Sequence, residues 1–164
     1  MRLAVLLLAA ALATPAFAQA PYNLPGEEAV DPYVASNANA GPRQIKDPAV
    51  LAAFHGKEGL RRVVDDLVDR NTSDPRISDI FKATDLVRLR RTLFEQFCYL
   101  LDGGCDYTGR DMQSSHKDLG LQSSDMDALV ENLQKAMDKE GVPFRVQNRL
   151  LAVLAPMKRD VVVR

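Results

Sequence analysis

The chain has 164 residues and a net charge of −1, with 21 basic against 22 acidic side chains. That balance, with no Trp and only 6% aromatic residues, gives no basis for a nucleic-acid-binding or anionic-membrane surface. The length suits one domain with a real core.

The chain opens on Met1-Arg2 and an unbroken apolar run from Leu3 to Ala13, followed by "TPAFAQA". The run is shorter than the roughly 20 residues a membrane-spanning helix needs. Ala16 and Ala18 are small residues where a signal peptidase reads. Residues 1–18 therefore read as a secretory signal cleaved after Ala18, which places the protein in a periplasm or outside the cell. Residues 19–46 carry Pro, Asn, Ala and Gly with no sustained period. They are expected to form a flexible N-terminal tail, as a tether or a loose cover over the domain.

From residue 47 to 164 the pattern is helical. Asp47-Pro48 is a cap followed by proline at a first helical position, and His55-Gly56 breaks the short helix that follows. Leu60, Val63, Val64, Leu67 and Val68 recur at helical spacing, and "NTSDP" ends that segment. Ile77, Ile80 and Phe81 make a brief apolar turn. Asp85 caps the next helix, whose stripe is Leu86, Leu89, Leu93, Phe97 and Leu100, and Gly103-Gly104 stops it. Met126, Leu129, Val130, Leu133 and Met137 mark a later helix that ends at "GVP". The last carries Phe144, Val146, Leu150, Leu151, Val153 and Leu154. The fold class is all-α.

Residues 102–122 differ: they hold four glycines and few apolar side chains. Long connections inside compact domains are usually functional or disordered. One helical turn is expected around Met112 to Lys117, with His116 on it. Such a turn would bring the Met112 carbonyl, four residues back, within reach of the imidazole. On its own a lone histidine is more often a surface or capping residue than a ligand. Cys98 and Cys105 flank this region's start. Exported proteins favour disulfides, and the intervening glycines let the chain reverse, so either a disulfide or two inert thiols fits. The spacing is not that of a redox CxxC pair, and no histidine lies close enough for a zinc site.

"GLRRVVDDLVDR", "DPRISDIFKATDLVRLR", the glycine pair at 103–104, "YTGRDMQSSHKDLG" and "EGVP" followed by "LLAVLAPMKRDV" come in an order that resembles the truncated hemoglobins of group 1. The resemblance covers roughly residues 54–162. It implies a two-over-two globin-like helical sandwich holding iron as heme b, with His116 as the proximal metal ligand. It also implies that Phe81 packs on the porphyrin, and that Val68, Leu89, Leu93 and Phe97 line the distal side. Tyr107 and Met112 would edge the proximal side, and Leu129 and Leu133 would press from the next helix. For the heme propionates it implies Arg90, Arg91 or Lys117 in place of the usual cation, where this chain has Thr92, with Tyr107 as a hydroxyl donor. His55 stands where the family more often has glycine and reads as a surface residue.

Better-known members of that family place Tyr and Gln where this chain has Val68 and Leu93. An apolar distal pocket implies weak, fast-exchanging binding of dioxygen, with less effect on NO or CO. Gln96, two turns beyond Leu89 and about 20° from it around the helix, either reaches that pocket or caps a backbone group. The resemblance implies reversible gas binding as the function. Nitric oxide dioxygenation would need an external electron-donor reductase, and peroxidase chemistry lacks a distal acid-base residue. Two other readings stand beside it: a heme-free helical interaction domain with a globin core, and a thiol redox sensor using Cys98 and Cys105.

Overall fold

A computed structural model describes residues 24–162. The leader expected over 1–18 lies outside them, as do the first residues of the tail. The described residues form helices and turns, with no strand among them. The helices are α1 (Pro48–Ala53), α2 (Gly56–Ser73), α3 (Leu86–Leu100), α4 (Met112–His116), α5 (Ser123–Lys139), α6 (Phe144–Leu154) and α7 (Lys158–Val161). Short 3-10 turns occur at Asn37–Ala40, Ser78–Phe81 and Ala155–Met157.

The punctuation works as the residue types require. Asp47 accepts a hydrogen bond from the Ala49 amide at the start of α1, and Asp85 accepts from Val87 and Arg88 at the start of α3. Between α1 and α2 both His55 (φ 58) and Gly56 (φ 70) are left-handed, which turns the chain sharply. A Cβ at Gly59 would stand 1.9 Å from the Phe54 carbonyl oxygen. Only glycine lets the first turn of α2 pass so close to the end of α1.

The apolar face of α2 is wholly buried from Leu60 through Val68 and packs against both α3 and α5, while α5 packs on α6. Two helix pairs thus share one core, in which Phe54, Leu67, Leu100, Leu133, Met137 and Leu150 are essentially inaccessible. Burying each such side chain contributes about 1.5–3 kcal/mol. The α2–α5 contact ends on a polar clasp. Buried Asn132 donates to Asn71 and to Asp74, each at 3.1 Å, which leaves no bare amide in the core.

Residues 24–46, expected to be a tether or loose cover, lie along α3 as a strap. At the start of α3 the Glu28 amide donates to Asp85 (2.8 Å), and the Glu27 carboxylate, fully buried, sits between Arg88 and Arg91. At the far end Gln44 donates to the Tyr99 carbonyl (2.8 Å) and the Ile45 amide to the Leu100 carbonyl (2.7 Å). Composition gave no sign of this, because the strap is held by single polar contacts and not by a periodic apolar face.

The Arg91 guanidinium beside Glu27 holds its carboxyl below the ordinary carboxylate range, against an opposing push from burial. A carboxyl depressed in the folded state contributes stability that is full above its unfolded pKa and lost as pH falls through the lower folded value. Glu27→Gln is therefore expected to unfold at lower urea concentration than the parent at neutral pH. The gap should shrink as pH drops below about 4.5, the reference value for a free glutamate.

Candidate functional site

The connection from α3 to α5 is held at several points before it reaches His116. Cys98 and Cys105 are paired, with Cα atoms 5.7 Å apart. The pairing crowds Gly103, where a Cβ would lie 2.7 Å from the Cys98 sulfur. The next residues are gripped by the strap. The Tyr107 amide donates to Asn37 (2.7 Å), the Asn37 amide donates to Asp106 (2.9 Å), Asn39 donates to the Gly109 carbonyl (3.3 Å), and the Tyr33 hydroxyl donates to the Thr108 carbonyl (2.7 Å). From α3, Glu95 accepts from both the amide and hydroxyl of Thr108 (2.9 and 2.7 Å) and pairs with Arg91 (2.9 Å).

Asp111 then caps α4, accepting from the Ser114 amide at 2.8 Å. That bond and a second from the Ser114 hydroxyl hold the Asp111 carboxyl below its usual range. The single turn of α4 places His116 Nδ1 2.7 Å from the Met112 carbonyl oxygen, the partner expected from the four-residue spacing. A carbonyl can only accept, so Nδ1 carries the proton and donates. In the neutral ring Nε2 then keeps its lone pair, and it has no hydrogen-bond partner among the described residues. The imidazole is half-buried.

The apolar residues expected around the ligand fall into two sets. Val68, Phe97 and Leu133 are buried, and Phe97 and Leu133 belong to the main core. Phe81, Leu89, Leu93, Met112 and Leu129 are only partly covered, and of these Leu93 and Met112 pack against the core. Leu86, Val87 and Leu119 are exposed. These half-covered apolar groups come from α3, α4, α5 and the 3-10 turn before α3.

The expected polar partners are placed differently. Tyr107 is buried and its hydroxyl donates to the Arg110 carbonyl at 2.9 Å, so it braces the loop and is not a free donor. Its ring lies where a Cβ on Gly109 would be, 2.2 Å from the hydroxyl. Arg90 is committed to Asp65 (3.2 Å) and Asp69 (2.5 Å) on α2, and Arg91 to Glu27 and Glu95. Lys117 is exposed, with only Asp118 nearby at 3.7 Å. The Thr92 hydroxyl is turned back to the Arg88 carbonyl (2.9 Å). Gln96 is buried and donates to the Ala40 carbonyl at 2.9 Å; it caps a backbone group. His55 pairs on the surface with Glu140 (2.9 Å), which also holds Arg62.

The bacterial-like globin family profile matches residues 50–163. The chain belongs to that family. It is 30% identical over 115 residues to a group 1 truncated hemoglobin of Chlamydomonas moewusii, covering 69% of this chain and 67% of that one. A group 1 truncated hemoglobin of Nostoc commune is 32% identical over 87 residues, or 53% of this chain and 74% of its own. Among solved structures, the truncated hemoglobin of Tetrahymena pyriformis in its Fe(III) form superposes with a TM-score of 0.67 at 25% identity, covering 70% of this chain and 98% of that one. The 2/2 hemoglobin of Synechococcus superposes at 0.65 with 21% identity and the same coverage, which speaks to the fold. The two helix pairs are thus the two-over-two globin sandwich, and the chain is a group 1 truncated globin.

Truncated hemoglobins hold heme, and the residue types expected to meet it are present here. One imidazole has its inner nitrogen on a carbonyl and its outer nitrogen without a partner among the described residues, and several apolar side chains stop short of full burial. The strap, the Glu27 lock and the Asn37 and Asn39 bonds escape sequence reasoning. Only Arg91 and Glu95, four apart on one helix face, carried a readable signal.

Proposed function

We propose that the protein binds heme b through His116 Nε2 and uses it to bind a diatomic gas reversibly. The observation that carries this is the 2.7 Å bond from His116 Nδ1 to the Met112 carbonyl, which presents the other nitrogen as a ligand. The names of the related hemoglobins support it. The heme iron supplies the coordination position at which the gas binds. Phe81, Leu89, Leu93 and Leu129 offer apolar contact to the porphyrin faces. Of the three cations considered for the propionates, Lys117 is the one not already committed to a strong carboxylate pair.

Val68, Leu89 and Leu93 carry no N–H or O–H donor. A polarised ligand beside them gains no charge-assisted hydrogen bond, a contribution of about 1.5–3 kcal/mol. Dioxygen binding is therefore weak and quickly reversed, whereas CO and NO, which polarise less, are affected less. Sustained turnover of NO against dioxygen would require an external reductase as electron donor.

Export belongs to the same proposal. The Leu3–Ala13 run and the Ala16 and Ala18 pair support a cleaved leader, and the Cys98–Cys105 pairing suits an oxidising compartment.

Three outcomes are expected. Protein produced with ample heme shows a Soret band that His116→Ala loses or shifts strongly; a colourless parent chain would end the proposal. Leu93→Gln, which restores a donor, slows dioxygen release by about 10- to 150-fold in flash photolysis, with little change for CO. Intact mass of the exported protein begins at Gln19 and shows both cysteines oxidised; a full-length reduced chain would refute export.

A further inference from the structure

Gln96 is the one polar side chain of α3 that is fully enclosed. Its amide donates to the Ala40 carbonyl of the strap at 2.9 Å. The same nitrogen lies 3.5 Å from the Met112 sulfur and 3.8 Å from the Met157 sulfur. Met112 is also the residue whose carbonyl holds His116 Nδ1. One buried amide therefore touches the strap on one side and the turn that orients the imidazole on the other. The strap lies outside the matched family segment, which starts at residue 50.

We propose that Gln96 is a positioning residue for the proximal ligand: by tying Ala40 to the Met112 side chain it makes the strap a working part of the heme site. The proposal rests on the heme reading given above. The physical argument is short. A single turn such as α4 has little stability of its own, because nucleating a helix fixes several dihedrals for one hydrogen bond. Its geometry must come from its neighbours. Met112 at its first position has a flexible thioether that accepts many packings, and the Gln96 amide selects one of them. The Met112 carbonyl then fixes the ring plane of His116, and with it the direction of Nε2.

Gln96→Met is the direct test, since it keeps length and bulk but removes the donor. In the ferrous, ligand-free protein the iron–histidine stretching band in resonance Raman is expected to shift or broaden. The C–O stretch of the CO form, which reports on the distal side, should stay in place. Heme should pass to excess apomyoglobin about 10- to 100-fold faster, the range for loss of a group supporting a metal ligand. In the heme-free chain, amides 112–117 should exchange faster with solvent. Asn39→Ala, which cuts the strap from the Gly109 carbonyl, should move the same signals less, and it carries the test if Gln96→Met fails to fold. A folded Gln96→Met protein with the parent's iron–histidine band and heme-loss rate would overturn the proposal, even with a lowered Tm. So would a shifted C–O stretch beside an unmoved iron–histidine band, since Gln96 would then act distally. A colourless parent chain would instead sink the heme reading, and amide exchange at 112–117 would still decide whether Gln96 orders the turn.

Discussion

The hydrogen bond from His116 Nδ1 to the Met112 carbonyl is the contact on which the functional geometry rests. Without it either ring nitrogen carries the proton and the ring turns freely. With it the tautomer is chosen, the ring plane is set, and the basic nitrogen points away from its own helix. The bond exists because four residues separate donor and acceptor and because those residues make one helical turn. That turn is too short to hold itself, so what surrounds it matters as much as its own sequence.

Most of what surrounds it is organised by α3. Leu100 and Phe97 go into the core and Leu89 and Leu93 stay half-covered. Arg91, Glu95 and Gln96 hold the strap and the loop before α4. One helix therefore serves the packing of the fold, the distal side of the proposed heme and, through its polar side chains, the proximal side. The Cys98–Cys105 pairing joins the end of this helix to the same loop. Such a short closed loop constrains the unfolded chain only modestly; its larger consequence is local, in fixing where the loop begins.

The helices were legible because their signals repeat. The Leu60 to Val68 stripe, the Asp47 and Asp85 caps and the glycine stops each state one thing several times over, and the observed boundaries follow them closely. The single turn carrying His116, and the reach of its ring to the Met112 carbonyl, were legible from arithmetic along a helix. The strap was not legible. Glu27, Asn37 and Asn39 each make one or two specific bonds to residues more than 60 positions away, and a lone polar residue in an aperiodic stretch looks the same whether it faces water or a buried guanidinium. The ion pairs of Arg90 and Arg91 were not legible for a related reason. Both are cations on an exposed-looking face, but the carboxylates of Arg90 come from α2 and the Glu27 partner of Arg91 comes from the strap, which no local pattern reveals. Tyr107 likewise gave no hint that its hydroxyl would be taken by the Arg110 carbonyl.

The two sides of the proposed site also differ in how they spend polarity. The distal positions offer dispersion and nothing directional, so ligand affinity is left to iron, its axial ligand and the freedom of the gas to leave. Before and at the start of the proximal turn, Asn37, Asn39, Thr108, Glu95, Asp111 and Ser114 all have hydrogen-bond partners. A protein that cannot strengthen a bound ligand by a distal hydrogen bond retains one other handle on iron, the push from the imidazole. That push depends on how firmly Nδ1 is held and how the ring is oriented. In the proposed site, the strap and the cysteine pairing that fix the loop before His116 would act on that push.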